Sequence, residues 1–293
     1  MSVIQVGKEN SSSIELHYED LGEGRPVVLI HGFPLSGRSW EKQTVALLEA
    51  GFRVVTYDRR GFGQSSQPAT GYDYDTLTAD LDQLMTQLDL HDVTLVGFSM
   101  GGGEVARYLG THGAERVRKA VFISAVPPHL KKTPEDPHGV ESSVFDEIQA
   151  AIRADRPAFL TQFFKDFYNL DQLLGQRISE EVVRDSWQIA VSASPVATHA
   201  VVPGWGADFR RDLAKIQVPT LVIHGDQDRI VPVEAAGRRT HALISGSLYV
   251  ELEGAPHGLL WTHADEVNRA LLDFLESDQT LTLKPESKQA RQP

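Results

Sequence analysis

Residues 97–101 contain the clearest indication of covalent chemistry in this sequence. The motif GFSMG at 97–101 follows an apolar run and precedes a helical pattern, which places Ser99 on a strand-to-helix turn. A serine nucleophile on such a turn stands clear of the sheet in a strained backbone conformation. Glycine two residues away on either side avoids collisions with Cβ atoms, and the following helix directs free backbone N–H groups toward the reacting oxygen. The motif predicts that Ser99 is a nucleophile.

A serine nucleophile needs a general base and an acid that orients this base. In chains with this motif the acid follows the serine, and the histidine follows the acid. Asp226 and Asp228 come after the apolar run at 220–223, and His257 lies in the loop EGAPHG at 253–258. His257 is therefore predicted as the base. Asp228 is nearer the expected loop tip, whereas Asp226 suits a bracing role in the turn, and the residues alone leave both open as the acid.

The tetrahedral intermediate of acyl transfer carries an oxyanion that needs two hydrogen-bond donors. The backbone N–H of Met100, directly after Ser99, is the first candidate. The second is the backbone N–H of Phe33 in the loop HGFP at 31–34, which follows another apolar run. Pro34 has no N–H, and its fixed φ influences how the preceding carbonyl faces the site.

Two further histidines are expected to have structural roles, and several large apolar residues are candidates for lining a substrate pocket. His31 is expected to support its loop, and His224, at the end of an apolar run, is expected to be a hydrogen-bonded core residue. No HExxH or comparable spaced set of ligands occurs, so no metal site is predicted. Candidates for lining a substrate pocket, with core packing an equal alternative for the aromatic residues, are Pro34, Trp40, Phe98, Trp205, Ile230 and Trp261.

Short apolar runs that alternate with helical patterns must position these residues. The apolar runs predict strands at 27–30, 53–57, 93–96, 120–123, 220–223 and 248–252. Helical patterns cover 39–50, 74–90, 100–111, 233–243 and 263–276. This alternation is typical of an α/β fold with a mostly parallel sheet that helices cover on both faces.

The alternation stops between residues 127 and 218. A polar, proline-containing stretch opens this segment, and helical patterns follow at 144–154, 157–174 and 179–193. We interpret 127–218 as a helical lid inserted between a first core part at 1–126 and a second at 219–276. Residues 277–293 contain only two leucines as large apolar side chains and are expected to form a disordered tail.

Composition argues against several classes of function. The chain of 293 residues has 40 acidic and 28 basic side chains and a formal net charge of −12, which disfavours binding to a nucleic acid backbone. It has no cysteine, which excludes disulfides and thiol nucleophiles. No apolar run reaches the ~20 residues that a bilayer span needs, and the N-terminus lacks a secretory signal pattern. We expect a cytoplasmic protein that binds neither nucleic acid nor membranes.

Five blocks of sequence, in the right order, resemble the cofactor-free haloperoxidase and perhydrolase branch of the α/β-hydrolase fold. They are HGFPLSGRSW at 31–40, YDRRGFGQSS at 57–66, GFSMGGGEVARY at 97–108, HGDQDRIVP at 224–232 and EGAPHGLLWTH at 253–263. The resemblance extends from about residue 14 to residue 276.

The resemblance implies a catalytic triad of Ser99, Asp228 and His257, which favours Asp228 over the neighbouring aspartate. It implies Phe33 and Met100 as the oxyanion donors. Pro34 matches the branch that makes peracids. The resemblance also implies that the protein uses no metal or haem and forms a homo-oligomer, often a trimer or larger.

The function implied is acyl transfer on a carboxylic ester or acid. Hydrogen peroxide can replace water as the acceptor and yield a peracid, which oxidises bromide or chloride in solution. Hydrolysis of a lactone or a small cyclic amide is an alternative, and carbon–carbon bond hydrolases and hydroxynitrile lyases of this fold also keep a serine triad. Dehalogenases and epoxide hydrolases need a carboxylate nucleophile, so Ser99 excludes them. A ligand receptor with slow turnover is the alternative from a different class.

Overall fold

A single mixed sheet runs through the molecule, and the computed structural model describes residues 2–134 and 136–277. Its strands are β1 (Val3–Glu9), β2 (Ser12–Leu21), β3 (Pro26–Ile30), β4 (Arg53–Tyr57), β5 (Val93–Phe98), β6 (Val117–Ile123), β7 (Thr220–Gly225) and β8 (Leu248–Leu252). Their order across the sheet is β1-β2-β4-β3-β5-β6-β7-β8. The pairs β1–β2 and β2–β4 are antiparallel, and all other neighbouring pairs are parallel. The predicted α/β class is confirmed.

Helices cover both faces of this sheet. They are α1 (Glu41–Glu49), α2 (Tyr74–Gln87), α3 (Met100–Thr111), α4 (Ser142–Phe167), α5 (Leu170–Leu173), α6 (Glu180–Ser192), α7 (Pro195–Ala200), α8 (Arg210–Leu213), α9 (Gly237–Leu243), α10 (Leu259–Thr262) and α11 (Ala264–Glu276). Alternate residues of β3 show why both faces need cover. Val28 and Ile30 belong to one buried apolar cluster, and Val27 and Leu29 belong to another. Successive side chains of a strand point to opposite faces, so a fully apolar strand requires a core on each side.

All six predicted strands lie within parallel strands of the sheet, whereas β1 and β2 were not expected. These two strands are rich in polar residues, and most of their side chains are exposed or half-exposed. Their hydrogen bonds to each other and to β4, rather than an apolar pattern, define them. An antiparallel edge of this kind leaves little trace in hydropathy.

The two helices predicted at 144–154 and 157–174 are halves of one bent helix, α4. Asp155 leaves the helical region at φ −157° and ψ 88°, and Pro157 follows it. Proline cannot continue the hydrogen-bond ladder of the preceding turn. The Asp155 carboxylate accepts a hydrogen bond from Ala158 N–H at 3.0 Å and so restarts the second half. That half ends at Phe167, earlier than expected, since Asn169 has a left-handed φ of 48°.

The segment between β6 and β7 contains α4 to α8. The helix predicted at 179–193 corresponds to α6, where the Ser179 hydroxyl caps the first turn. The short helices α7 and α8 were not expected, because they have too few residues for a periodic pattern. The tail predicted to be disordered lies, from residue 278 onward, outside the described residues. No helix in the described ranges is long and apolar enough to cross a membrane.

A buried lysine fixes the C-terminal end of α11 to the sheet. Lys119 on β6 is buried, and its ammonium donates hydrogen bonds to the carbonyls of Phe274 at 2.6 Å, Leu275 at 3.2 Å and Ser277 at 2.7 Å. These carbonyls have no partners within the helix.

We expect Lys119→Met to lower the free energy of unfolding by about 2 kcal/mol, because it removes the charged donor that three carbonyls at the end of α11 share. Urea unfolding would measure the change. The control is Lys132→Met, which removes an exposed ion pair with Glu141 and should cost less than about 1 kcal/mol. Equal losses in the two variants would contradict this role for Lys119.

Candidate active site

Ser99 occupies a sharp turn between β5 and α3. Its φ of 54° and ψ of −119° lie in a region that residues with a side chain rarely adopt. The glycines around it explain how the turn closes. A Cβ at Gly97 would lie 2.5 Å from the Gly101 carbonyl oxygen, and a Cβ at Gly101 would lie 2.3 Å from the Ile30 carbonyl oxygen. Any side chain at either position would push α3 away from the sheet.

In the loop after β7, both carboxylate oxygens of Asp228 have hydrogen-bond partners. Oδ1 accepts hydrogen bonds from Ile230 N–H at 2.9 Å and Val231 N–H at 2.8 Å. Oδ2 faces His257 Nδ1 at 2.7 Å. Asp226 instead accepts a hydrogen bond from Gly254 N–H at 2.7 Å and thereby braces the loop that leads to His257. The two aspartates that the sequence left open therefore occupy different positions.

His257 joins Asp228 to Ser99. Burial alone would raise the pKa of Asp228, but the adjacent His257 and a hydrogen bond from His224 hold it well below its usual value. The carboxylate is thus ionised and can only accept, so Nδ1 of His257 carries the proton that it donates. Nε2 of the neutral ring is then free to accept a hydrogen bond from the Ser99 hydroxyl, 2.9 Å away.

The loop at 31–34 faces the same turn from the end of β3. Phe33 and Met100 line a cavity together with Ser99. In the part of the chain that the structure describes, neither Phe33 N–H nor Met100 N–H donates to a protein acceptor. Both therefore remain available to an oxygen atom bound beside Ser99.

A buried ion pair holds this loop in place. Arg59 donates to the His31 carbonyl at 2.7 Å, and its Nε donates to the Glu104 carboxylate at 2.6 Å. Arg59 backbone N–H also donates to His31 Nε2 at 3.0 Å. Burial, reinforced by the charge of Arg59, holds the pKa of His31 well below its usual value. His31 is therefore neutral, and it supports the loop rather than entering the cavity.

The cavity beside Ser99 has a volume of about 240 Å³ and mainly apolar walls. Of the residues predicted for a substrate pocket, Trp205 and Ile230 line it. Its other apolar side chains come mainly from the segment between β6 and β7, which includes both halves of α4, namely Val126, Leu130, Val140, Val144, Phe145, Ile148, Phe159 and Phe163, together with Val231. Its polar members besides Ser99 are Gln162, Asp166 and Arg229.

Four predicted pocket residues lie elsewhere. Trp40 and Phe98 are fully buried in the apolar cluster that also contains Val27 and Leu29. Their ring centroids lie 6.2 Å apart in an edge-to-face contact. Phe98 also lies 5.1 Å from the His257 ring, so it supports the base rather than the substrate. Pro34 is buried beyond Phe33, and Trp261 lies under the Lys42 ammonium. None of these four is among the residues that line the cavity beside Ser99, because proximity along the chain does not determine which face a side chain takes.

The α4 residues of the cavity were missed by the sequence analysis. A signal does exist, since Val144 and Ile148, and likewise Phe159 and Phe163, are four residues apart and share a helix face. That spacing indicates an apolar face, but it does not distinguish a face on the core from a face on a cavity. The bend at Asp155 brings both halves to the same cavity, and only the structure shows this.

The depressed pKa of Asp228 has a consequence for stability. Folding favours the ionised carboxylate, so its contribution is complete above the unfolded-state pKa of about 3.9 and is lost as pH falls through the lower folded-state value. We expect the advantage of the wild type over Asp228→Asn in free energy of unfolding to shrink between about pH 5 and pH 2. Urea unfolding across this range would measure it, and an advantage that grows toward acid would contradict the assignment.

Comparison with known proteins agrees with this geometry. The family described as alpha/beta hydrolase fold matches residues 25–264. A Synechocystis sp. protein with a provisional non-heme chloroperoxidase name is 58% identical over 94% of this chain and 100% of its own. The bifunctional esterase/perhydrolase of Acinetobacter calcoaceticus is 36% identical over 90% of this chain and 97% of its own. The crystal structure of a bromoperoxidase from Bacillus anthracis superposes with a TM-score of 0.91 at 50% identity, covering 94% of this chain and 99% of that one. The chain belongs to the alpha/beta hydrolase fold family, and the expected resemblance to its non-heme haloperoxidases and perhydrolases is confirmed.

Proposed function

We propose that this chain is a serine hydrolase that transfers acyl groups from carboxylic esters to water and, when hydrogen peroxide is present, from carboxylic esters or acids to hydrogen peroxide. The observation that carries the proposal is the position of His257. Its ring lies 2.9 Å from the Ser99 hydroxyl and 2.7 Å from the Asp228 carboxylate, and Ser99 lines an apolar cavity. A nucleophile, a base and an orienting acid at hydrogen-bonding distance are what acyl transfer requires.

The first step is attack on the ester carbonyl. The hydroxyl of Ser99 gives its proton to Nε2 of His257 while Oγ bonds to the carbonyl carbon. The imidazolium that forms is stabilised by Asp228 and then protonates the leaving alcohol. Because Asp228 is buried with each oxygen engaged in hydrogen bonds, it keeps the ring in the tautomer that accepts the proton. The product of this step is an acyl-enzyme on Ser99.

The oxyanion forms against two backbone donors. The free N–H groups of Phe33 and Met100 border the cavity at Ser99 and are suited to bind it. One donor of this kind contributes about 3 kcal/mol to transition-state stabilisation. The Arg59–Glu104 pair supports the Phe33 side through the loop carbonyl of His31.

The second step releases the acyl group. Water, deprotonated by His257, gives the carboxylic acid. Hydrogen peroxide in place of water gives a peracid and regenerates Ser99. The peracid then oxidises bromide to hypobromous acid and returns to the carboxylate, so halide oxidation takes place outside the protein. The relatives named as chloroperoxidase and as esterase/perhydrolase support both acceptors.

The cavity indicates the acyl or alcohol group that the protein accepts. Its walls are aliphatic and aromatic, which suits a neutral apolar group. Asp166 adds a carboxylate to the lining, and Arg229 is bound to Asp171 at 2.8 Å. A second carboxylate on the substrate would therefore meet repulsion from Asp166 and competition from Asp171. Lactones and small cyclic amides remain the alternative substrates, since the same triad would open them.

The interpretation of residues 127–218 as a lid is also a proposal, supported by the contribution of α4 to the cavity. A homo-oligomeric state and a cytoplasmic location stay predictions.

The decisive test of the function compares the wild type with Ser99→Ala. We expect steady release of p-nitrophenol from p-nitrophenyl acetate, in the presence of EDTA, to fall at least about 1,000-fold in Ser99→Ala. Bromination on addition of peroxide, acetate and bromide should be lost with it. Ser124→Ala is the matched control, because Ser124 is also a buried serine with positive φ at a strand end, and it should stay within about threefold.

Two outcomes of this test would contradict the proposal. Full activity in Ser99→Ala would exclude Ser99 as the nucleophile. A single burst without turnover in the wild type would favour the ligand receptor.

The length of the acyl group that the cavity accepts can be tested by a substitution in α4. Ile148→Trp adds volume to the cavity, so we expect kcat/KM for p-nitrophenyl hexanoate to fall about tenfold or more, since a few methylene groups carry at least this much specificity. The acetate ester should change less than about threefold and serves as the internal control. Equal losses for the two esters would show that this wall does not bind the longer chain.

A further inference from the structure

A second buried histidine contacts the acid of the triad. His224, at the end of β7, has no solvent exposure. Its Nε2 lies 2.8 Å from the Val231 carbonyl oxygen and 3.3 Å from Oδ2 of Asp228. The mechanism above assigns no step to this residue.

The contacts of His224 determine its tautomer. A carbonyl oxygen and an ionised carboxylate only accept hydrogen bonds, so Nε2 must carry the proton. Nδ1 has no hydrogen-bond partner among the described residues. Gly237 of α9 packs against this side so closely that a Cβ there would lie 2.6 Å from Nδ1. A second proton on Nδ1 would be a buried donor without an acceptor, so the ring is neutral.

His224 completes the set of donors to Asp228. Oδ1 receives two backbone N–H groups from Ile230 and Val231. Oδ2 receives Nδ1–H of His257 and lies 3.3 Å from Nε2 of His224, whose N–H it shares with the Val231 carbonyl. Because Nε2–H of His224 also bonds the Val231 carbonyl, the ring joins the carboxylate to the loop that carries it. Rotation of the carboxylate would break contacts at both oxygens.

We propose that His224 is a positioning residue for Asp228, which fixes the carboxylate and draws part of its negative charge away from His257. This inference rests on the proposed function, since it assigns a role within the same triad. A carboxylate with one donor fewer favours the imidazolium more strongly. Loss of Nε2–H should therefore keep the base protonated up to a higher pH.

Few other charged groups face His224. On β8, His224 is in register with Glu251, whose carboxylate is occupied by Arg238 at 2.6 Å. On the neighbouring strand β6, the residues paired with β7 are apolar, and the last of them, Ile123, pairs with the residue before His224. On α9 the contact is the backbone of Gly237. Among the described residues, Asp228 is the carboxylate that approaches a ring nitrogen, at 3.3 Å from Nε2.

The test uses two substitutions at His224 and pH profiles of kcat/KM on p-nitrophenyl acetate. His224→Leu removes the donor, and we expect kcat to fall about tenfold with KM within twofold. The acid limb, which reports protonation of the base, should move up by about half a pH unit. His224→Gln keeps an N–H near the position of Nε2 and should restore most of kcat and return the limb toward that of the wild type.

The matched control is His241→Leu. His241 lies on the adjacent helix α9 and bonds Ser247 at 2.8 Å, away from the triad, so its acid limb should not move. A His224→Leu variant that folds, as judged by its thermal unfolding midpoint, and keeps the wild-type acid limb would overturn the inference. So would a His224→Gln variant no better than His224→Leu. Activity that survives Ser99→Ala would instead overturn the proposed function.

A measurement on the wild type keeps the inference testable if His224→Leu does not fold. Nitrogen NMR of the protein with labelled histidine, at the pH of the activity assay, should show His224 with a protonated Nε2 and an unprotonated Nδ1. A His224 that carries its proton on Nδ1 would show that it does not donate to Asp228 as inferred.

Discussion

The close contact between the start of α3 and the carboxyl edge of the sheet is the constraint on which the site depends. A Cβ at Gly101 would lie 2.3 Å from a carbonyl oxygen of β3, and a Cβ at Gly97 would lie 2.5 Å from one in α3. Because the contact is backbone against backbone, no side-chain movement can relieve it. Ser99 is consequently held at a positive φ, and the N–H of Met100 has no acceptor among residues 2–134 and 136–277. The strain of the turn is offset by the burial of β3, β5 and α3.

Two buried carboxylates show different solutions to the cost of burying charge. Glu104 is paired with Arg59 and hydrogen-bonded by Tyr57 at 2.6 Å, and burial raises its pKa despite these partners. Asp228 has no Arg or Lys partner in the described ranges; the adjacent His257 and a hydrogen bond from His224 hold its pKa low despite burial. The first arrangement rigidly supports the loop at 31–34. The second leaves the charge available to the ring of His257, which gains a proton in the proposed mechanism.

The sequence was sufficient to predict which residues meet at the carboxyl ends of the parallel strands. Parallel strands place their carboxyl ends at one edge, so the loops after β3, β5, β7 and β8 must converge there. The sequence was insufficient to predict the direction of a side chain where packing between elements determines it. Phe98 is adjacent to Ser99 in the chain, yet it points into the core against Trp40. Pro157 marks the break in α4 in the sequence, but the convergence of both halves on one cavity and the contact of His224 with Asp228 arise from tertiary packing, which local patterns do not encode.

The cavity wall and the proposed triad come from different parts of the chain, and the bend in α4 allows one helix to form much of that wall. The groups of the proposed triad stand on loops anchored in the sheet, whereas much of the cavity wall comes from a single inserted helix in two halves. Substitutions along α4 can reshape the cavity without moving Ser99 or breaking a strand pair. A variant of this chain could therefore change the shape of its cavity while the proposed triad stays in place. A change in the angle of this single joint would alter both walls of the cavity at once.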